Sequence, residues 1–199
     1  MMLLETLLPL AVFAFVSSIT PGPNNIMLTS SGIMFGFSRT VPHMLGVTFG
    51  FGVMLVLCAV GIGSLVLAVP SIHVILKTLG SAYLLYLAWK LRKMSFKSEL
   101  ESGHKPMTFL GAAAFQAANP KAWIMAITSA SAFLPPLQPI WLSIGLYCLI
   151  FSVINLPCVG VWAAAGSVLR RYLGQPVWQR SFCAVMVLLT IYSAVSIWL

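Results

Sequence analysis

Two breaks, Pro21-Gly22-Pro23-Asn24-Asn25 and Asn119-Pro120-Lys121, each fall near the middle of an apolar stretch long enough to cross a bilayer. Proline removes a backbone donor and clashes with the preceding turn, so each stretch must break or kink there. Hydrocarbon tolerates broken backbone only where protein or a water-filled cavity surrounds it. Paired interruptions at corresponding places in two half-chains are the pattern of a solute-binding site at the membrane midplane.

Composition agrees. The chain is 60% hydrophobic and only 7% charged, against about 25% charged in an average soluble domain. Nearly all of it is apolar segment, which leaves no room for a soluble catalytic domain. The net charge of +8 does not point to nucleic acid, because the basic residues sit in short loops between apolar runs. The N-terminus lacks a basic n-region and its only early charge is Glu5, so a cleaved signal peptide is not expected. Cys58, Cys148, Cys158 and Cys183 all lie in apolar spans without a CxxC pair and read as small buried hydrophobes.

A bilayer core needs about 20 apolar helical residues. Six spans follow: 3–34 (broken), 41–69, 73–92, 108–134 (broken), 139–168 and 177–199. The 90–107 loop carries Lys90, Arg92, Lys93, Lys97 and Lys105. The 170–180 loop carries Arg170, Arg171 and Arg180, and the 35–40 loop carries Arg39. Nine of the 11 basic residues therefore lie on one side, which the positive-inside rule makes cytoplasmic. Both termini then lie outside the cytoplasm.

Three spans precede the long basic loop and three follow it, so the halves must have opposite orientations. A weak echo supports duplication: Ile26-Met27-Leu28-Thr29-Ser30 after the first break, and Ile124-Met125-Ala126-Ile127-Thr128-Ser129 after the second. The expected fold is an all-α integral membrane protein. Six transmembrane helices form two inverted three-helix repeats, with helices 1 and 4 broken. Residues 1–199 make one transmembrane domain, with half-repeats at about 1–92 and 108–199 joined by the cytoplasmic loop 93–107.

Lys121 is the candidate with the sharpest chemistry. It stands about 20 Å from either end of its span at 1.5 Å per residue, too far for its stem to reach water. An intramembrane ionisable residue is a functional candidate by default. The only acids are Glu5, Glu99 and Glu101, at span ends or in the loop. What remains to neutralise Lys121 is a set of helix C-terminal carbonyls at the break or an anionic group on a solute. The same scarcity of acids favours a neutral zwitterion over a dibasic solute. Its ammonium would meet carbonyls freed at the breaks and the amides Asn24, Asn25, Gln116, Asn119 or Asn155. Gln116 and Asn119 share a helix face, and Asn155 lies two positions before Pro157. The competing reading for these amides is plain helix–helix hydrogen bonding.

Pro21, Gly22 and Pro23 shape the first break. Gly22 lets the backbone turn closely, Thr20 is a candidate cap for the helix that follows, and exposed N–H groups there would face an anion. Pro120 does the same for the second break. Gly46 and Gly50 form a GxxxG pair, and Gly160 to Gly166 flank Ala163-Ala164-Ala165; both suit close helix approach. These glycine-rich faces are also compatible with a homodimer. His43, in the first turn of the second span, is able to shuttle protons but reads first as a boundary residue. The tryptophans and phenylalanines read mostly as lipid-facing or interfacial anchors. No spacing suggests a metal site, a nucleophilic triad or a phosphate loop, so no cofactor is expected and an integral-membrane enzyme is disfavoured.

The breaks also carry a resemblance. Thr20-Pro21-Gly22-Pro23-Asn24 resembles the signature of the LysE/RhtB family of amino-acid exporters, and Asn119-Pro120-Lys121-Ala122 resembles that family's second-half motif. Gly46 to Gly50 and Tyr83-Leu84-Leu85-Tyr86-Leu87-Ala88-Trp89-Lys90 extend the similarity over essentially the whole chain. Gly50-Phe51 followed by Val53-Met54-Leu55-Val56-Leu57-Cys58-Ala59 is similar to the cysteine/O-acetylserine exporter branch. The resemblance implies a bacterial inner-membrane exporter of amino acids or close metabolites, driven by the proton motive force. It also shows a departure: many members place an acid where this chain has Phe51, which puts proton coupling through a carboxylate there in doubt. Lys121 and the substrate's own ammonium are the alternatives. The rival readings are a passive channel and a non-transporting membrane assembly subunit. The partners expected are an amino-acid-like solute and the lipid bilayer.

Overall fold

The computed structural model describes residues 2–61, 70–92, 105–172, 176–196 and 198. The expected loop residues 93–104, with Glu99, Glu101 and His104, and the 62–69 end of the second expected span lie outside the described residues, as do the side chains of Glu5 and His73. The described residues form eight α-helices: α1 (Met2–Ile19), α2 (Pro23–Phe35), α3 (Phe37–Ala59), α4 (Pro70–Arg92), α5 (Phe109–Ala118), α6 (Pro120–Phe133), α7 (Ile140–Leu169) and α8 (Pro176–Ser196).

Both expected breaks are present. Thr20, Pro21 and Gly22 separate α1 from α2, and the two helices bend by 54°. Asn119 alone separates α5 from α6. In each case proline takes the first helical position after the break, where its missing N–H would have had no intrahelical partner. The 35–40 segment expected as a loop shrinks to Gly36. Its φ of +81° ends α2, a conformation glycine adopts without steric cost. Arg39 consequently sits exposed in the first turn of α3.

Among the described residues, α3 and α7 are each long and apolar enough to cross a membrane, and the bent pair α1–α2 meets the same length and apolarity when its two helices are taken together. The radial distribution of side chains agrees. Asn25, Thr29, Ser31, Thr40, Gln116, Asn119 and Asn155 are buried, while Leu8, Phe49, Leu110, Leu149, Val161 and Leu188 face outward. Water would favour the reverse arrangement, whereas lipid favours this one.

The packing positions the breaks. Helices α3 and α7 pack on each other; α7 also packs on α1 and α2, and α3 on α5 and α6. Helices α4 and α8 pair, with α4 reaching α6 and α8 reaching α2. Glycines permit the closest approaches. A Cβ on Gly46 would strike the Phe109 carbonyl, one on Gly50 the backbone of Ala113, and one on Gly166 the Thr29 carbonyl. The main core, around Leu10, Phe51, Leu55, Ala126, Tyr147 and Phe151, fills the space between α1, α3, α6 and α7.

Candidate functional site

Breaking α1 leaves its last carbonyls without intrahelical donors, and side chains from across the bundle satisfy them. Asn25 Nδ2 donates to the carbonyls of Ser18 and Thr20, both at 2.9 Å. Trp162 Nε1 donates to Ile19 O at 3.1 Å. Lys121 Nζ donates to Thr20 O at 2.6 Å and to Pro21 O at 3.2 Å, and Ser193 also donates to Pro21 O. The ammonium thus sits at the negative end of the α1 dipole. Of the two partners expected for Lys121, the carbonyls are the ones it meets in this structure.

The helices entering the site present their other ends. α2 and α6 both begin here, so two positive helix N-termini converge beside the Lys121 ammonium. Asn119 caps α6: it is 2% exposed and its side chain accepts from Lys121 N–H at 3.2 Å. At α2, by contrast, the N-cap is Gly22, without a side-chain cap. Thr20, expected to cap that helix, instead turns back and donates to Val16 O. Thr20 lies two residues before Gly22, directly after the last turn of α1, where its hydroxyl meets the carbonyl four residues earlier.

The amides pair with protein groups. Asn24 and Gln116 exchange two hydrogen bonds, at 2.9 and 3.2 Å, joining the first break to α5. Asn155 donates to Ser18 Oγ and accepts from Thr48, both at 3.0 Å. Gly22 provides the space for Lys121 to cross, since a Cβ there would lie 2.8 Å from Lys121 Cδ.

Two cavities flank Lys121. One, of about 30 Å³, is lined by Ser17, Ser18, Gly22, Asn24, Asn25, Val47, Phe51, Asn119, Asn155 and Lys121, with Pro23, Ala122, Met125 and Val159. That volume has room for about two waters. The other, of about 180 Å³, is lined by Thr20, Pro21, Pro23, Leu84, Lys121, Ile124, Met125, Tyr192 and Ser193. Neither lining contains an acid. Phe51, in the position where a carboxylate was in question, lines the smaller cavity and stacks edge-on against Phe151.

Of the expected site residues, Pro21, Gly22, Pro23, Asn24, Asn25, Asn119, Lys121 and Asn155 line one cavity or the other. Gln116 and Pro120 are buried behind them. Ser18, Thr48, Trp162 and Ser193 belong to the same network and were not foreseen. Trp162 was read among the lipid-facing aromatics, and nothing local in the sequence marks it as an inward donor. His43, read as a boundary residue, is instead 1% exposed inside the bundle, because α3 starts at Phe37 and places it in the second turn.

A helical membrane bundle with broken helices meeting at a half-buried lysine is the architecture of a solute translocator. Residues 15–196 match the model of the LysE type translocator family, and the chain belongs to that family; it is a transporter and not an enzyme. It is 33% identical over 187 residues to a cysteine/O-acetylserine efflux protein of Escherichia coli O139:H28, covering 93% of both chains. Proteins of that description from Escherichia coli K12 and Shigella flexneri serotype 5b are each 32% identical over the same share. No solved structure matches the chain.

Proposed function

We propose that this protein is a secondary active exporter of small neutral zwitterionic amino acids, with O-acetylserine and cysteine as the first solutes to test. The observation that carries the reading is the Lys121 ammonium, held among the described residues by the neutral carbonyls of Thr20 and Pro21 alone, where two broken helices meet. A solute carboxylate is a stronger acceptor than a carbonyl. It would draw Lys121 away and face the N-termini of α2 and α6. The released carbonyls of Thr20 and Pro21 would then accept from the solute ammonium. The side chain would enter the larger cavity, whose mainly apolar wall of Leu84, Ile124 and Met125 carries the hydroxyl groups of Tyr192 and Ser193.

The proposed topology is six crossings in two inverted repeats. Exchanging α1–α4 with α5–α8 maps the α2–α7 packing onto α6–α3, α1–α7 onto α5–α3, and α2–α8 onto α6–α4. Rocking of one half against the other would alternate access to the site. Arg39 and Arg170, both exposed near Gly36, mark the end assigned to the cytoplasm of a bacterial inner membrane. Export driven by the proton motive force would complete the cycle.

The test is export from vesicles loaded with a panel of neutral, acidic and basic amino acids, including O-acetylserine and cysteine. Neutral solutes should leave fastest and should be concentrated against their gradient when a pH difference is imposed. Preference for a dibasic solute would contradict the charge argument, and failure to concentrate any solute would favour a channel.

A further inference from the structure

Helix α3 buries a histidine that the fold leaves unsatisfied. Neither Nδ1 nor Nε2 of His43 has a hydrogen-bond partner, and among the described residues these are the only buried side-chain nitrogen or oxygen atoms of which this is true. Buried polar groups are paired as a rule, and each exception calls for an explanation.

The location supplies one. Arg39, His43 and Val47 succeed one another at single-turn intervals along α3. Arg39 is exposed at the helix end that Arg170 approaches, whereas Val47 lines the small cavity beside Lys121. At 1.5 Å per residue His43 stands about 6 Å along the axis from each. Thr40, its neighbour at the i−3 position, is fully buried and bonded to Ser31 and the Gly36 carbonyl. His43 therefore occupies the layer between the basic rim and the cavity.

The elements packed on α3 bring few titratable groups. Helices α2 and α5 carry none; α6 carries Lys121; α7 carries Tyr147, Cys148 and Cys158; and α3 itself carries Arg39 and Cys58. Lys121 is bonded to Thr20 and Pro21, and Tyr147 to Ser129. No carboxylate lies on any of these helices.

We propose that His43 is the proton carrier that couples solute export to the proton gradient. This rests on the exporter reading above. In the packing seen here the imidazole is buried and neither ring nitrogen has a partner. When the small cavity opens away from Arg39, a ring nitrogen takes a proton from water entering by that route. The imidazolium has two N–H donors and no acceptor in its present surroundings, so protonation favours the alternative packing of the bundle. There the proton passes to water on the Arg39 side, and the neutral ring returns to its buried position.

The test uses the full chain in proteoliposomes, with labelled O-acetylserine as the probe. Wild type, His43→Gln and His43→Leu are compared for solute–solute exchange at equal pH and for accumulation driven by a pH gradient. Both variants should keep exchange and lose gradient-driven accumulation. His43→Leu should unfold at no lower temperature than wild type, because it removes no hydrogen bond. Variants that accumulate solute as wild type does, or that lose exchange together with accumulation, would overturn the assignment. A pH dye in the wild-type vesicles gives an independent check: solute movement without counter-moving protons overturns the proposal whatever the variants do. Absence of exchange by the wild-type protein would overturn the exporter reading itself.

Discussion

Lys121 Nζ lies 2.6 Å from the carbonyl oxygen of Thr20, a residue 101 positions earlier in the chain. The contact closes one half of the molecule on the other through the two breaks. The lysine is not the only donor on either carbonyl that it meets. Thr20 O also accepts from Asn25, and Pro21 O from Ser193. Withdrawing the lysine therefore orphans neither carbonyl.

That redundancy separates stability from function at Lys121. Lys121→Met should insert and fold nearly as wild type does, with a loss of about 1 kcal/mol or less, since it also removes the desolvation cost of a half-buried ammonium. Export should be abolished. Vesicle transport and thermal unfolding measured on the same preparation check both halves of the statement, and undiminished transport would remove Lys121 from the site.

Gly22 gives a subtler handle on the same group. Its added Cβ would fall 2.8 Å from Lys121 Cδ and 3.2 Å from Nζ. The lysine stem is flexible, so Gly22→Ala should displace the ammonium and leave the fold standing. The extended backbone at Gly22, with φ of −174°, is open to alanine. The expected result is a raised apparent KM for export with little change in unfolding temperature. An unchanged KM would show that the lysine does not need this path across the break.

The reciprocal amide pair of Asn24 and Gln116 is a structural joint that ties a cavity-lining residue to one buried behind it. A double-mutant cycle with Asn24→Leu and Gln116→Leu should return a coupling energy above the average of about 0.6 kcal/mol and up to the maximum of about 1.7 kcal/mol for side-chain hydrogen bonds between membrane helices, since two bonds are exchanged. Unfolding in mixed detergent measures it. A coupling near zero would mean that the pair is already bonded to other groups in solution.

The sequence made the breaks and the lysine legible because both violate a strong local rule: proline inside an apolar helix, and a cation far from water. It also pointed to the amides that the fold gathers around the breaks, since a membrane interior makes every polar side chain conspicuous. It did not say what those amides bond to. Trp162 capping Ile19 and Asn155 bonding Ser18 are contacts of 143 and 137 residues' separation, set by how α7 lies along α1, and no local pattern encodes that. Thr20 was misread for a related reason. A threonine next to a break can cap the helix after it or close the helix before it, and the choice depends on where the first helix ends. His43 was misread because the short basic segment before it looked like a loop, while Gly36 alone makes the turn.

The close approach of α2 and α7 supplies a contrast between two glycines of the same helix. A Cβ on Gly166 would run into the Thr29 carbonyl, its carbon and its Cα, all backbone atoms of a buried residue that cannot move alone. Gly166→Ala must therefore push α7 away from α2, and overpacking of this kind costs about 1–3 kcal/mol. Gly145, on the same helix, is exposed and has nothing within 4 Å of where its Cβ would be. Gly145→Ala should be neutral, or should stabilise by up to about 1 kcal/mol through helix propensity. Because α2 begins at the first break, the Gly166 variant should also lower transport, whereas the Gly145 variant should not. Unfolding temperature and vesicle export for the two alanine variants side by side provide the measurement. Equal behaviour of the pair would mean that the α2–α7 seam has slack that this packing does not show.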